Sequence, residues 1–522
     1  VRFVVDPGEP FSSASKWPAG YTFCLFCGRL RQHLILLVFL REIAMTNPQN
    51  QLIFPLQDID TIVAWHNVVG PSGVLPAVAP AVAKMVGDHY AARAADHIPH
   101  APGISHYLLA KDADGLQSQA AYRGRLTQAA IAPLANLKLL VDNGTKNALF
   151  VPYIRLQDTP LPQTIKWRRY GLPPEVTIRL KDKVFLHTWL ITRGYADRVL
   201  NFVVSRIPDI KNTAVWMLEK IEAFYADFGM RGIYPMGLMV RGAQSDGNYG
   251  SGVVMEVLED SLIGGLPVKR GQVVVKRDGS TRQLVVFDDW EPAIEHLQQH
   301  IEQSTDVFMD NRVIITRLLD LHISPGMCGV VIGGDLTCLP FNGQHVAAGD
   351  TACTGTCTFR AQVGPDVAEE LSEKYLSQSQ ELLAEILDSF MEKRKDRVET
   401  YAMLNLDIMI PGGHEAELFK RAQQDKKLHH WLDNTGRFDE KYAPRIYDPG
   451  HALLTEINPR DTNWTLAMKA TLQANQRPPT LQNLAGLADG SAMQVLAMDH
   501  WPLPVGVSIE AARDRLLEYH HQ

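Results

Sequence analysis

The chain has 522 residues, 46% of them apolar and 21% charged, which is ordinary globular composition with length for about three to four domains. A net charge of −7 leaves no overall basic footprint for nucleic acid, though a local basic pocket for an anionic nucleotide is compatible with an acidic whole. The six cysteines in so long a chain point to a reducing cytoplasm rather than a disulfide framework.

Residues 1–44 differ in character from the rest. Their apolar run, Leu34 to Leu40, lies between Arg31 and Arg41 and falls well short of the ~20 residues that span a bilayer. Arg41-Glu42 is a poor signal-peptide cleavage site. Met45 opens an ordinary-looking N-terminus, so 1–44 is expected to be an unstructured upstream extension, with a membrane-associated amphipathic segment as the alternative. Cys24-Leu25-Phe26-Cys27 has CxxC spacing without a second pair. Cys353 and Cys357 read as small buried residues or incidental thiols.

Residues 45–165 read as a small α/β domain. Leu52-Ile53-Phe54 and Ala148 to Pro152 are strand-like, and Pro80 to Val86 and Ser118 to Val141 have helix-forming composition. Residues 166–235 read as a helical connector. In it, Lys181-Asp182-Lys183 opens an amphipathic stretch, Val199 to Ser205 is strand-like, and Thr213 to Phe228 predicts a helix capped by Gly229.

Met236 to Arg241 and Val253 to Leu258 predict strands on either side of a glycine-rich loop. Val273 to Lys276 and Leu284 to Phe287 flank Asp278-Gly279, a hairpin signal. A helix over 290–303, strands over 312–319 and 327–333, and a long charged helix over 366–396 follow. In Leu404 to Ile410 the apolar residues Leu404, Leu406, Ile408 and Ile410 face one way, and Asn405 and Asp407 face the other. Residues 411–450 form a charged, His-rich insertion, and 476–522 a tail with a final helix at 508–520. His414, His429 and His430 read as exposed loop residues rather than metal ligands.

The most informative segment is Glu456-Ile457-Asn458-Pro459-Arg460. Residues i and i+2 of a strand share a face, so Glu456 and Asn458 project together. With Asp407 they make a hard oxygen site suited to Mg²⁺, and Arg460 can fork onto a phosphate oxygen. The loop offers Gly242, Gly247, Gly250 and Gly252, whose backbone amides can approach phosphates closely, and Ser245 adds a hydroxyl. No Gly-Lys-Ser/Thr follows, so it is not a Walker A loop. The bland alternatives are a strand ending in a Pro turn and a flexible hairpin.

In this order, a strand, a Gly-rich lid loop, a hairpin, a hinge strand, an Asp strand and an E-x-N-P-R strand, the chain resembles the ATP-grasp superfamily over roughly residues 166–475. The 45–165 region looks like the pre-ATP-grasp domain of its amino-acid and peptide ligases. The resemblance implies an α/β (α+β) fold, ATP and Mg²⁺. Asp407, Glu456 and Asn458 match the metal ligands, and Arg460 matches the arginine on phosphate and acyl-phosphate. Ser245 through Gly252 matches the phosphate-covering loop. Arg241 stands where the family commonly has an ATP-binding Lys, Lys183 resembles the connector lysine, and Asp320 is the candidate for the ribose hydroxyls.

Three features depart from the family. Arg241 replaces Lys, Thr316-Arg317 stands where a hinge Glu is common, and 411–450 separates Asp407 from Glu456, so it must loop out. The activity implied is a carboxylate–amine ligase that releases ADP and phosphate. Another ATP-grasp phosphotransferase or carboxylase, or a non-catalytic nucleotide-binding protein, is the alternative. Small-molecule acid and amine substrates are expected, with no nucleic acid or membrane partner, and a homodimer is left open.

Overall fold

The structure, a computed structural model, describes residues 53–65, 98, 103–109, 132–244, 251–277, 284–303, 310–346, 353–392, 394, 397–432, 444–474, 477–489 and 496–498. The expected 1–44 extension, the Cys24/Cys27 pair, the helix at Pro80 to Val86, the Asp278-Gly279 turn and the 508–520 helix lie outside these residues.

The first sheet is parallel, in the order β3-β2-β1-β4-β5. Its strands are β1 (Thr61–Trp65), β2 (Ser105–Leu109), β3 (Ala132–Leu134), β4 (Asn147–Pro152) and β5 (Lys166–Arg169). Its two central strands are continuous apolar runs because both faces are covered. Val63, Ala148 and Phe150 enter one cluster, and Ile62, Leu149 and Val151 the other. Ile53 and Phe54, expected in a strand, instead lie buried in a bend. Pro55 and a turn through Asp58, at φ 62°, redirect the chain before β1. Of the helix expected over Ser118 to Val141, residues 118–131 lie outside the described residues; in the rest, β3 at Ala132–Leu134 interrupts it and a single turn, Lys138–Asp142, is helical. Lys166–Arg169, grouped by sequence with the connector, pairs with β4.

The connector then forms α1 (Pro174–Lys181) and α2 (Lys183–Thr192). Asp182 breaks the run. Its backbone is extended, and its carboxylate accepts from Phe185 N–H at 3.0 Å as the N-cap of α2. After β6 (Val203–Arg206), α3 (Ile210–Asp227) ends at Gly229, which takes φ 63°. It begins three residues before the expected Thr213.

The second sheet is antiparallel, ordered β12-β11-β8-β7-β13-β6. Its further strands are β7 (Gly237–Gly242), β8 (Gly252–Glu256), β11 (Val273–Arg277), β12 (Leu284–Phe287) and β13 (Arg312–Arg317). A small hairpin of β9 (Ser261–Ile263) and β10 (Leu266–Val268) lies between β8 and β11. Val240, Val254, Val275, Val313 and Ile315 pack against Met217, Ile221 and Phe224 of α3 and against Ile294 and Leu297 of α4 (Trp290–Gln303). Gly252 has a packing reason of its own here: a Cβ would strike Leu297 Cδ1 and lie 3.3 Å from the Lys276 carbonyl oxygen. Gly252→Ala is expected to cost ~1–3 kcal/mol by overpacking, and to cost less in a Leu297→Ala background, where the clashing Cδ1 is absent, as read by thermal melting of the parent, the two single variants and the double.

The third sheet runs β14-β18-β15-β16-β17-β20, with β19 also on β18. The strands are β14 (Leu321–Ile323), β15 (Gly326–Ile332), β16 (Asp335–Val346), β17 (Cys353–Thr358), β18 (Tyr401–Pro411), β19 (Leu453–Asn458) and β20 (Leu496–Met498). The alternation of β18 is as expected. Leu404, Leu406, Ile408 and Ile410 pack beneath Leu383, Ile386 and Leu387 of α5 (Pro365–Met391), with Leu180 and Leu186. On the opposite face Met403 meets Trp464, Met468 and Leu472 of α7 (Asn463–Ala474) and the tail helix Leu481–Ala488.

No local signal marks β16, which contains Pro340 and Asn342-Gly343, residue types common in turns. Pro340 lies where the β15–β16 register shifts, between the pairs Met327–Phe341 and Gly329–Cys338, and an irregular step tolerates its missing N–H. The insertion does loop out of β18. It forms α6 (Gly413–Gln424) and a 3-10 turn, Lys426–Trp431, and Leu418, Ala422, Leu428 and Trp431 join the α3 cluster.

Candidate active site

β18 and β19 are antiparallel neighbours, with Asp407 paired to Glu456 and Asn405 to Asn458. This register, invisible in the sequence, brings together the three candidate metal ligands. Asp407 Oδ1 accepts from Asn405 Nδ2 at 2.7 Å and from Gln344 Nε2 of β16 at 3.0 Å, and Oδ2 accepts from Asn458 Nδ2 at 2.9 Å. Lys183 Nζ, at the start of α2, lies 3.1 Å from Glu456 Oε2. Ile154, Lys181, Lys183, Glu456, Asn458 and Arg460 are among the residues lining a small pocket here.

Arg241 lies on β7, opposite in direction to the core residue Val240. Its guanidinium is buried, and Nε and Nη2 have no hydrogen-bond partner. Burial pulls its pKa down, while the charges of Glu456 and Asp407 oppose that. A buried guanidinium with two unused donors suits an anion rich in oxygen. Lys183 and the start of the glycine-rich loop are tied together. Lys183 N–H donates to the Ala243 carbonyl at 3.0 Å. Gln244 Nε2 and Arg312 Nη2 each donate to Asp182 Oδ2 at 2.7 Å. Ser245, Gly247 and Gly250 lie outside the described residues.

Burial and the adjacent Glu456 carboxylate hold Asp407 protonated well above the usual carboxylate range. Two carboxylates and an amide whose oxygen can be turned inward are a donor set that fits Mg²⁺, and binding it would displace that proton. The folded state holds this proton more tightly than the unfolded chain, so the stabilisation is present at low pH and lost as pH rises through the raised value. At pH 8 without ligand, Asp407→Asn is expected to be more stable than the parent, because it removes the cost of ionising a buried carboxyl beside Glu456, with the gap closing near pH 4. Melting curves against pH check this, and an Asp407→Asn protein less stable at pH 8 contradicts it.

His187 of α2 lies behind the site, 3.1 Å from the Thr455 carbonyl through Nε2. Burial, followed by the charge of Arg241, pushes its pKa down to about 4, so the ring is neutral at physiological pH. No signal in the sequence marks it, or Gln344.

Asp320 sits at the other end of β18. There Leu321 pairs with Pro411, four residues beyond Asp407 and roughly 13 Å away at strand rise. Its carboxylate accepts from His414 N–H at 2.9 Å at the start of α6. Arg317 is turned into the core. It makes a bidentate pair with Glu415 of α6 at 2.8 and 2.7 Å, donates to Tyr225 Oη at 3.2 Å and to the Arg445 carbonyl at 2.9 Å, and lies 5.3 Å from the Phe224 ring centroid. It is therefore a structural residue of β13. Among the described residues no group of three or more His, Cys, Asp or Glu side chains gathers as a metal site. His429 and His430 contact the Gln423 and Lys427 carbonyls at 3.3 and 2.7 Å.

No family model matches the chain, and no curated protein matches it in sequence. Solved structures similar in part include an ADP complex of N5-carboxyaminoimidazole ribonucleotide synthetase, with 11% identity over 91% of this chain and 100% of that one and a TM-score of 0.40. Others are biotin carboxylase from Campylobacter jejuni (11%, 84% and 72%, 0.38) and phosphoribosylamine–glycine ligase from Thermotoga maritima (14%, 82% and 75%, 0.37). No helix among the described residues is long and apolar enough to cross a membrane.

Proposed function

We propose that the protein is an ATP-dependent ligase of the ATP-grasp type, joining a small carboxylate to an amine through an acyl-phosphate, with release of ADP and phosphate. The observation that carries this reading is the register that sets Asp407 opposite Glu456 and Asn405 opposite Asn458, with the buried Arg241 guanidinium within electrostatic reach of the same two carboxylates. Asp407, Glu456 and Asn458 are the residues that would hold Mg²⁺, which when bound neutralises charge on the ATP phosphates and the departing ADP.

The chain's own residues do the rest. Lys183 and Arg241 bind phosphate oxygens, and Arg241 satisfies its unused donors in doing so. The substrate carboxylate attacks the γ-phosphoryl group, and Arg460 stabilises the charge that builds on the transferred oxygens. The amine then attacks the acyl-phosphate carbon and phosphate leaves. Ser245 through Gly252 is assigned to cover the phosphates and exclude water. Asp320, displaced along β18 toward the nucleoside end, is assigned to the ribose hydroxyls while it caps α6. A cytoplasmic enzyme acting on small molecules belongs to the same reading.

The test is a screen of carboxylate and amine pools for ADP release, with product masses read in parallel. The expected result is an amide formed in step with ADP and phosphate. AMP and pyrophosphate appearing in step with product would replace this mechanism with an adenylate route.

A further inference from the structure

The residue that follows Arg460 is a carboxylate that the proposed chemistry does not use. Asp461 is fully buried, just beyond the end of β19. Its Oδ2 accepts from Tyr170 Oη at 2.7 Å, and its Oδ1 accepts from Thr465 Oγ1 at 2.9 Å and from Lys469 Nζ at 2.5 Å. Thr465 and Lys469 belong to α7. Tyr170 belongs to the parallel sheet, where it follows the last residue of β5 and its N–H donates to the Phe150 carbonyl at 2.9 Å. The Asp461 carboxylate is thus held from two directions by two different layers of the molecule.

Arg460 is held in a related way. Its Cζ lies 5.0 Å from the ring centroid of Tyr153, the residue that follows β4. Its Nη1 donates to the Asp461 carbonyl at 3.2 Å. Tyr153 and Tyr170 therefore occupy the carboxyl ends of adjacent parallel strands, the edge at which such sheets present ligand-binding groups. There they meet consecutive residues of the E-x-N-P-R-D segment. One ring supports the guanidinium, and one hydroxyl fixes the backbone that carries it.

We infer that Tyr153 and Tyr170 are positioning residues: the parallel sheet is the platform that orients Arg460 toward the transferred phosphoryl group. The inference rests on the assignment of Arg460 to that group under the proposed function. It gives the first sheet a part in the chemistry without placing any of its residues on the reacting atoms. A guanidinium on a long side chain loses binding quickly when its orientation is relaxed, because its fork must meet two oxygens at once.

The test is equilibrium binding of inorganic phosphate to the full chain loaded with MgADP, beside binding of MgADP alone. Tyr170→Phe removes one hydroxyl and leaves Asp461 bonded to Lys469 and Thr465. Tyr153→Leu removes the ring face, and Tyr153→Phe keeps it. The expected result is that Tyr170→Phe and Tyr153→Leu weaken phosphate binding fivefold or more, leave MgADP binding within twofold, and that Tyr153→Phe matches the parent in both. Parent-like phosphate binding in Tyr170→Phe and Tyr153→Leu, with or without a lower melting temperature, overturns the inference while leaving the proposed function standing. Failure of the parent to bind MgADP, or parent-like phosphate binding in Arg460→Ala, overturns the assignment beneath it and the inference with it.

Discussion

Glu456→Gln is expected to lower ATP turnover about a hundredfold or more at saturating Mg²⁺, the scale of losing a charge-stabilising group at a reacting phosphate, while the fold is kept. Gln is isosteric with Glu and this side chain is partly exposed, so the change removes charge rather than volume. Two losses coincide. The Asp407–Glu456 pair becomes a single carboxylate, and Lys183, 3.1 Å from Glu456 Oε2, loses the partner that holds its ammonium at the pocket. ADP release and a thermal melt, measured together, check the prediction. Turnover within threefold of the parent would remove Glu456 from the site.

The largest stability effect is expected away from the chemistry, at Arg317 and Glu415. Both side chains are almost fully buried, at 3% and 1% exposure, and Glu415 is the main charge that keeps Arg317 ionised despite its burial. Glu415→Ala leaves that guanidinium buried beside Phe224 and Tyr225 without its counter-charge, which should cost about 3–5 kcal/mol. The double change Arg317→Met with Glu415→Leu replaces ions by apolar volume and should cost far less than Glu415→Ala alone. Denaturant midpoints of the two variants give the comparison. A single variant as stable as the double would mean that water or another carboxylate reaches Arg317.

Much of the architecture is legible in the sequence where local pattern decides the outcome. The β18 face, the α3 helix with its Gly229 cap and the Asp407 and E-x-N-P-R strands all follow from periodicity and turn chemistry. The pairing of Asp407 with Glu456 does not, because a strand's register is set by its neighbours across the sheet. Gln344 was hidden because Pro340 and Gly343 make β16 look like a turn, although a register shift absorbs Pro340. Arg317 was suspect at the hinge only as a departure from a pattern. Its role depends on Glu415 in α6, which periodicity in either segment cannot reveal. Asp461 and Tyr170 meet across most of the chain, and neither carries a local signal.

Asp407, Glu456 and Asn458 are proposed to form a divalent-cation site completed by a nucleotide. The most direct measurement is an electron paramagnetic resonance titration of Mn²⁺ with the full chain, with and without ADP. The expected result is a cation site that tightens when ADP is present and is lost in both Glu456→Gln and Asp407→Asn. ADP-dependent Mn²⁺ binding of unchanged affinity in Glu456→Gln, or no ADP-dependent binding in the parent, would contradict it.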